Sequence, residues 1–310
     1  LAARVGRQVT ATEIPAGRRR ALLVVNPASR LGSRYHRTAL AAFRDAGVDC
    51  DAILTERRGQ GAEIARTLSA RYDVIFTLGG DGTAMEVVGA LAGTGRPVGI
   101  LPGGTGNLLA RTLGIPLSVR RAVPMLLAGT EARVDLGRLP GGHHFAFAAG
   151  VGVDAAMIAD ASVWLKRHVG VLAYVVSWTR AAWRRESFRV RITVDGETVE
   201  RDATAVMVAN FGNVLSDLMR LGPGIRQDDG LMDLCVFSPR TARDALRIPW
   251  KLLRKDFRSD PCMYYRAGRH FRIETLPPRV AQADGELLGP TPLEVIVEPL
   301  AALLLVPRRV

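Results

Sequence analysis

The chain is poor in cysteine, in lysine and in long apolar runs. The cysteines are Cys50, Cys235 and Cys262. Their number is odd and none stand in a C-x-x-C pair, so neither a disulfide framework nor a zinc ribbon is indicated, and a reducing, cytoplasmic setting fits. No apolar run reaches the roughly eighteen residues of a membrane span. Leu1 to Thr10 lack the apolar core of a signal peptide, and the stretch up to Arg20 reads as a polar lead-in. The lysines are Lys166, Lys251 and Lys255, and none follows a glycine, which excludes a Walker A loop. No G-x-S-x-G nucleophile elbow occurs. His36, His143, His144, His168 and His270 lack metal-ligand spacing. Gly150 to Ala155 fits G-x-G-x-x-A, but nothing around it marks a βαβ unit, so a dinucleotide site is not assigned.

What is present is a chain of 310 residues, 48% hydrophobic and 23% charged, long enough for two domains. The net charge is +12 and rests almost wholly on arginine. Such a balance favours an anionic partner, either nucleotide phosphates, nucleic acid or an acidic membrane surface. No nucleic-acid motif accompanies it.

Apolar runs and helical stretches alternate in the first part of the chain. Ala21–Val25, Val48–Leu54, Val74–Leu78 and Val98–Leu101 read as strands. Tyr35–Ala46, Ala62–Ala70 and Thr83–Leu91 read as helices, the first ending at Gly47. That rhythm predicts an α/β domain with a mainly parallel sheet. In such sheets ligands bind beyond the carboxyl ends of the strands. After about Val134 the pattern changes to strands: His144–Ala149, Phe188–Val194, Ala203–Asn210, Leu231–Phe237, Phe271–Thr275 and Leu293–Val297. Several alternate apolar and polar residues, which predicts a β-rich, antiparallel second domain.

Three segments fall at carboxyl ends of the first domain's strands. Gly79-Gly80-Asp81-Gly82-Thr83 stands between a strand and a helix. Its glycines let backbone approach phosphate, and the next helix offers free N–H groups and a positive dipole end. Asp81 would help hold magnesium there. Pro102-Gly103-Gly104-Thr105-Gly106-Asn107 follows the next strand, so two glycine loops can wall one nucleotide site. Asn26-Pro27-Ala28-Ser29-Arg30 ends the first strand and adds hydrogen-bonding groups and a charge; alone it could be an ordinary turn. Further on, Ala283-Asp284-Gly285-Glu286 places two acids about one glycine. A carboxylate there could take the proton of an attacking alcohol.

VVNPASR, TLGGDGTAMEVV and ILPGGTGNLLAR, in this order and spacing, resemble the catalytic domain of the diacylglycerol kinase and sphingosine kinase family, especially its soluble bacterial members. Later stretches support the resemblance: Val134-Asp135-Leu136-Gly137, FAAGVGVDA, Asp228-Asp229-Gly230-Leu231-Met232-Asp233 and Asp284-Gly285-Glu286. It covers nearly the whole chain from about Arg20. GGDGT alone is shared with NAD kinases. One departure is Asn107-Leu108, where many relatives have Asn-Asp.

The resemblance implies a diacylglycerol kinase-like fold with the active site between two domains. The first is an α/β nucleotide-binding domain over 18–133 to which a last strand within 299–310 returns. The second is a β-rich, sandwich-like lipid-substrate domain over 134–298. It implies ATP at Asn26, Pro27, Ala28, Ser29, Arg30, Thr55, Gly79, Gly80, Asp81, Gly82, Thr83, Ala84, Met85, Gly104, Thr105, Gly106 and Asn107. Glu286 becomes the general base, with Asp284 and Asp81 beside it in the catalytic set. A structural magnesium would use Asp229 and main-chain oxygens of Arg226 and Leu231. The implied reaction moves the γ-phosphate of ATP to a lipid hydroxyl, diacylglycerol first. Sphingoid bases, polyprenyl alcohols and glycolipids remain alternatives, as do an NAD kinase-like enzyme and a non-catalytic nucleotide-binding regulator. The enzyme would sit in the cytoplasm and bind an anionic membrane transiently; a homodimer is left open.

Two basic amphipathic stretches fit such a surface, Ser162–Arg185 and Thr241–Arg258. In the second, Leu246, Trp250, Leu253 and Phe257 form a stripe amid Arg243, Arg247, Lys251, Arg254, Lys255 and Arg258, and Pro249 should kink or start the helix. For each stripe, packing on a core is the competing and weightier explanation.

Overall fold

The structure is a computed structural model that describes residues 20–29, 32–152, 187–214 and 219–308. The lead-in, Arg30, the end of the G-x-G-x-x-A stretch and the basic segment Ser162–Arg185 lie outside the described residues. The chain forms two compact units, one built from the chain up to Leu136 together with Pro299 onward, the other from Gly137–Glu298.

The first unit contains β1 (Arg20–Val25), α1 (Gly32–Asp45), β2 (Asp49–Leu54), α2 (Gln60–Leu68), β3 (Val74–Gly79), α3 (Asp81–Ala90), β4 (Pro97–Pro102), α4 (Leu108–Thr112) and α5 (Val119–Leu127), with β5 beginning at Thr130 and ending at Arg138. Its strands lie parallel in the order β2-β1-β3-β4. α1 packs on α5, and α2 on α3. Ala21 to Val25 and Ile75, Phe76 and Leu78 are wholly buried, which is why these strands read as unbroken apolar runs. Gly47 takes φ +72° just past α1, the conformation that ends a helix most cheaply in glycine. The chain returns here in the later part of β18 (Leu293–Val306), whose Leu303 and Leu304 pair in parallel with Pro97 and Val98 of β4.

The second unit is a sandwich of antiparallel strands. It contains β6 (His144–Phe145), β7 (Ala148–Gly152), β8 (Phe188–Val194), β9 (Glu197–Ala203), β10 (Ala205–Ala209), β11 (Asn213–Val214), β12 (Met219–Arg220), β13 (Met232–Phe237), α6 (Ala242–Leu253), β14 (Met263–Gly268), β15 (His270–Leu276), β16 (Val280–Ala283) and β17 (Glu286–Pro290). One sheet runs β14-β13-β10-β7-β16-β17; the other joins the start of β18 to β15, β8 and β9. Their facing side chains make one core: Val206, Val208, Leu234 and Val236 from the first meet Val190, Ile192, Phe271, Ile273 and Val295 from the second. The alternate residues of the first sheet, Ala205, Ala209, Cys235 and Phe237, point the other way, onto Ile248 and Leu252 of α6. Because β13 is covered on both faces, its residues are buried throughout and, Asp233 apart, apolar, so a period of two is hard to see in its sequence.

Three expectations change in detail. His144–Ala149 is not one strand: the chain breaks at Ala146 and Phe147 between β6 and β7. Leu293–Val297 and the returning strand are a single strand of 14 residues. The helix of the second basic stretch begins at Ala242, ahead of Pro249, and runs through it. A capping box starts it: the Thr241 hydroxyl accepts from Asp244 N–H, and the Asp244 carboxylate accepts from Thr241 N–H.

Candidate active site

β1, β3 and β4 are neighbours, so the loops that leave their carboxyl ends are neighbours too. Hydrogen bonds tie them together. Asn26 N–H donates to Leu78 O at 2.9 Å, and Asn26 Nδ2 donates to Thr83 Oγ1 at 2.9 Å. Asn26 Oδ1 accepts from Ala28 N–H at 3.0 Å, while Ser29 Oγ donates to Asn26 O at 2.7 Å. Asn26 thus shapes its own turn and holds the GGDGT loop. Gly103 N–H donates to Gly79 O at 2.8 Å. A Cβ on Gly104 would meet Gly80 Cα at 2.5 Å, so only glycine permits this approach of the two loops.

Asp81 bridges to the third loop: its Oδ1 accepts from Leu109 N–H, in the first turn of α4, at 3.0 Å. Asn107 closes that loop on itself, accepting from Gly104 N–H and donating to Gly104 O, both at 2.9 Å, from a left-handed φ of +48°. α3 begins at Asp81 behind Gly80, which brings no side-chain cap, so the N–H groups of its first turn are left for a ligand or water.

The expected residues divide by what they can present. Ala28, Gly82, Thr105 and Gly106 are exposed, and Asn26, Pro27, Ser29, Gly80, Asp81, Met85, Gly104 and Asn107 are part-exposed. Gly79, Thr83, Ala84 and Thr55 are buried; Thr83 supports Asn26, and Thr55 N–H is held by Val25 O at 2.8 Å. Sequence reasoning missed Glu86, whose carboxylate accepts from Gly59 N–H at 2.9 Å and Gly61 N–H at 3.2 Å and so fixes the loop after Thr55. It also missed Arg111, whose Nε donates to Gly106 O at 3.1 Å. Both lie inside the quoted stretches TLGGDGTAMEVV and ILPGGTGNLLAR, but past their glycines, and each acts on main-chain groups that the sequence does not mark.

In the second unit the two acids of the DGE turn differ. Asp284 accepts from three backbone N–H groups, Ala146 at 2.7 Å, Phe147 at 2.9 Å and Ala148 at 3.1 Å. These are the residues at the break between β6 and β7. Asp284 has φ +46° and Gly285 φ +87°, and Gly285 N–H donates to Gln282 Oε1 at 3.0 Å. Glu286, the first residue of β17, is exposed.

The proposed magnesium ligands lie on the loop before β13. Arg226 pairs with Asp228 through Nε at 3.1 Å, and Leu231 N–H donates to Asp229 Oδ1 at 3.1 Å. Among the described residues no three His, Cys, Asp or Glu side chains cluster as metal ligands. Asp229 with main-chain oxygens of Arg226 and Leu231 is an all-oxygen set, which suits a hard cation that keeps several waters.

Residues 20–139 match the diacylglycerol kinase catalytic domain, and residues 146–306 match the YegS C-terminal NAD kinase beta sandwich-like domain. A Staphylococcus saprophyticus diacylglycerol kinase is 28% identical over 280 residues, covering 89% of this chain and 91% of that protein. An uncharacterized Synechocystis protein is 33% identical over 225 residues, covering 71% of this chain; the chain spans only 52% of that relative's length. The crystal structure of a diacylglycerol kinase from Bacillus anthracis superposes with a TM-score of 0.70 at 23% identity, over 93% of this chain and 96% of the other, which speaks for the fold.

Proposed function

The chain belongs to the diacylglycerol kinase family of lipid kinases, with a YegS-type second domain, and from that premise we propose that it transfers the γ-phosphate of ATP to the hydroxyl of a diacylglycerol. The observation that carries this reading is the set of three loops at the carboxyl ends of β1, β3 and β4, bound to one another by Asn26, Gly103 and Asp81. Loops so tied hold phosphate oxygens without reorganising, which is most of what phosphoryl transfer asks of a protein. The α3 N-terminus adds uncapped N–H groups and a positive dipole end.

In the proposed reaction the lipid oxygen forms a bond to the γ-phosphorus as the bond to the ADP oxygen breaks. Glu286 takes the hydroxyl proton. Asp284 acts through the turn: it spends its oxygens on three N–H groups and thereby sets where Glu286 stands. Magnesium supplies charge neutralisation when bound. The structural ion would be held by Asp229 and the carbonyls of Arg226 and Leu231. The substrate would be drawn from the cytoplasmic face of an anionic membrane; among the described residues no helix is long and apolar enough to cross one.

The test is phosphate transfer from labelled ATP to a panel of lipid alcohols and NAD in anionic mixed micelles with magnesium. Wild type runs beside Asp81→Ala and Glu286→Gln. Labelled phosphatidic acid from wild type, reduced about 10²–10⁴-fold by Glu286→Gln, is expected. A labelled sphingoid base or polyprenol would move the substrate while keeping the class. Labelled NAD with no labelled lipid would overturn the reading, as would ATP binding with no transfer to any acceptor.

A further inference from the structure

α6 has two faces with different fates. Ala245, Ile248 and Leu252 are buried, the latter two against the six-stranded sheet, and Leu253 and Phe257 pack partly on the same cluster. Leu246 and Trp250 are 65% and 56% exposed. They stand one helical turn apart and form an outward ridge. Packing therefore accounts for half of the apolar stripe and leaves these two side chains unexplained.

The charges around the ridge are sorted. Seven basic and three acidic residues lie between Arg240 and Asp260. All three acids have partners within this element: Asp244 with Arg247, Asp256 with Arg258, and Asp260 with Arg247 and Lys251. Among the described residues no ion pair joins Arg240, Arg243, Arg254 or Lys255 to a carboxylate, and all four are exposed. Arg243, Leu246, Arg247, Trp250 and Arg254 recur at the spacing of one helix face. Arg254 lies over the Trp250 ring, its guanidinium carbon 4.8 Å from the ring centre. The outer face thus offers a large indole, a leucine and unpaired cations on a helix anchored by its capping box and by the Lys251–Asp260 pair.

We infer that the outer face of α6 docks the protein onto an anionic phospholipid bilayer, with Leu246 and Trp250 entering the headgroup boundary and Arg240, Arg243, Arg254 and Lys255 meeting lipid phosphates. The choice of occupant rests on the lipid-substrate reading above and on charge complementarity. An indole beneath a guanidinium is amphipathic in the same sense as the headgroup region. Each cation near an anionic surface strengthens binding about fivefold.

The experiment is co-sedimentation of the full chain, without ATP, with vesicles of phosphatidylcholine alone or with phosphatidylglycerol added. Wild type should sediment with the anionic vesicles and not with the neutral ones, and should release as salt rises. Leu246→Ser with Trp250→Ser should lose about tenfold or more in partitioning. Arg243→Glu with Arg254→Glu and Lys255→Glu should lose at least as much. Turnover of a short-chain diacylglycerol in neutral detergent micelles should be unchanged in both variants, since the changed residues face away from the core. Wild-type sedimentation by both variants overturns the inference and leaves the kinase reading intact. Absence of turnover in wild type with vesicle binding still lost in the variants removes the kinase reading and keeps the docking face. A wild-type dimer that the Leu246→Ser, Trp250→Ser change dissociates, with vesicle binding unchanged, assigns the ridge to a second copy and also overturns it.

Discussion

Asp284 and Glu286 stand one glycine apart and have opposite surroundings. Three N–H groups at the β6–β7 break converge on the Asp284 carboxylate, while Glu286 is exposed. The Asp284→Asn change replaces a charge-assisted acceptor by an amide with one acceptor oxygen, so at least one N–H group loses its partner. A loss of about 1–3 kcal/mol of stability is expected. Glu286→Gln should leave the unfolding free energy within about 0.5 kcal/mol of wild type. Urea unfolding of both variants checks this, and equal destabilisation by the two would contradict the division of roles. The sequence showed the pair as two acids beside a flexible turn. It could not show which one is spent on backbone, because the partners, Ala146 to Ala148, are remote in the chain and contribute only main-chain groups. The glycine loops were more legible, since strand, glycines and helix are contiguous and their chemistry is local. Glu86 was illegible for the same reason as Asp284: its partners are the N–H groups of Gly59 and Gly61.

At the scale of elements, α6 shows how a stripe of helical spacing misleads. Leu246, Trp250, Leu253 and Phe257 read as one face, but only the last two touch the core, and the buried face proper is Ala245, Ile248 and Leu252. The parallel strands β1 and β3 were legible because burial on both faces gives each an uninterrupted apolar run. β9, β14 and β17 were not, because edge positions and exposed faces admit polar residues such as those of Glu197–Ala203. α6 is fixed to its unit by Asp260, whose side chain is 3% exposed and accepts from Lys251, Arg247 and Cys262 N–H. Burial works to raise the Asp260 pKa, but the Cys262 N–H and the two cations outweigh it and hold the carboxyl below its ordinary range. A folded-state pKa below the unfolded one stabilises the protein above the unfolded value of about 4 and ceases to do so as pH falls through the lower folded value. Removing the charge leaves the largely buried Lys251 without a carboxylate and Arg247 with Asp244 alone. Asp260→Asn should therefore cost about 3 kcal/mol at pH 7. The gap between wild type and variant should narrow below about pH 4. Denaturation at the two pH values checks it, and a pH-independent gap would contradict the ion-pair account.

For the molecule as a whole, the decisive feature is that the first unit is closed by the other end of the chain. Ala301 to Leu305 are buried, and Leu303 and Leu304 pair with the strand that would otherwise be the sheet's edge. Asp135 fixes the entry to this segment, accepting from Leu300 N–H at 2.7 Å where Leu300 takes φ +52°. The second unit is contiguous, Gly137–Glu298, and has its own core between two sheets. The chain order thus makes the strand that carries the second glycine loop depend on residues about 200 positions away, Leu303 pairing with Pro97 and Leu304 with Val98. Closing a loop of that length costs entropy that only the last strand's burial and pairing offset. Removing residues 301–310 would uncover the β4 edge and delete the buried run Ala301 to Leu305, each leucine worth about 1.5–3 kcal/mol. The expected outcome is selective: amide exchange protection in β1, β3 and β4 falls sharply, and ATP binding with it, while protection in β8, β10, β13 and β15 stays near that of the full chain. Hydrogen exchange of the truncated chain reads both units in one measurement. Loss of protection in both units together would mean that the second unit does not fold without the first; retention in both would mean that β4 can stand as an edge, and that the returning strand serves something other than the integrity of the glycine loops.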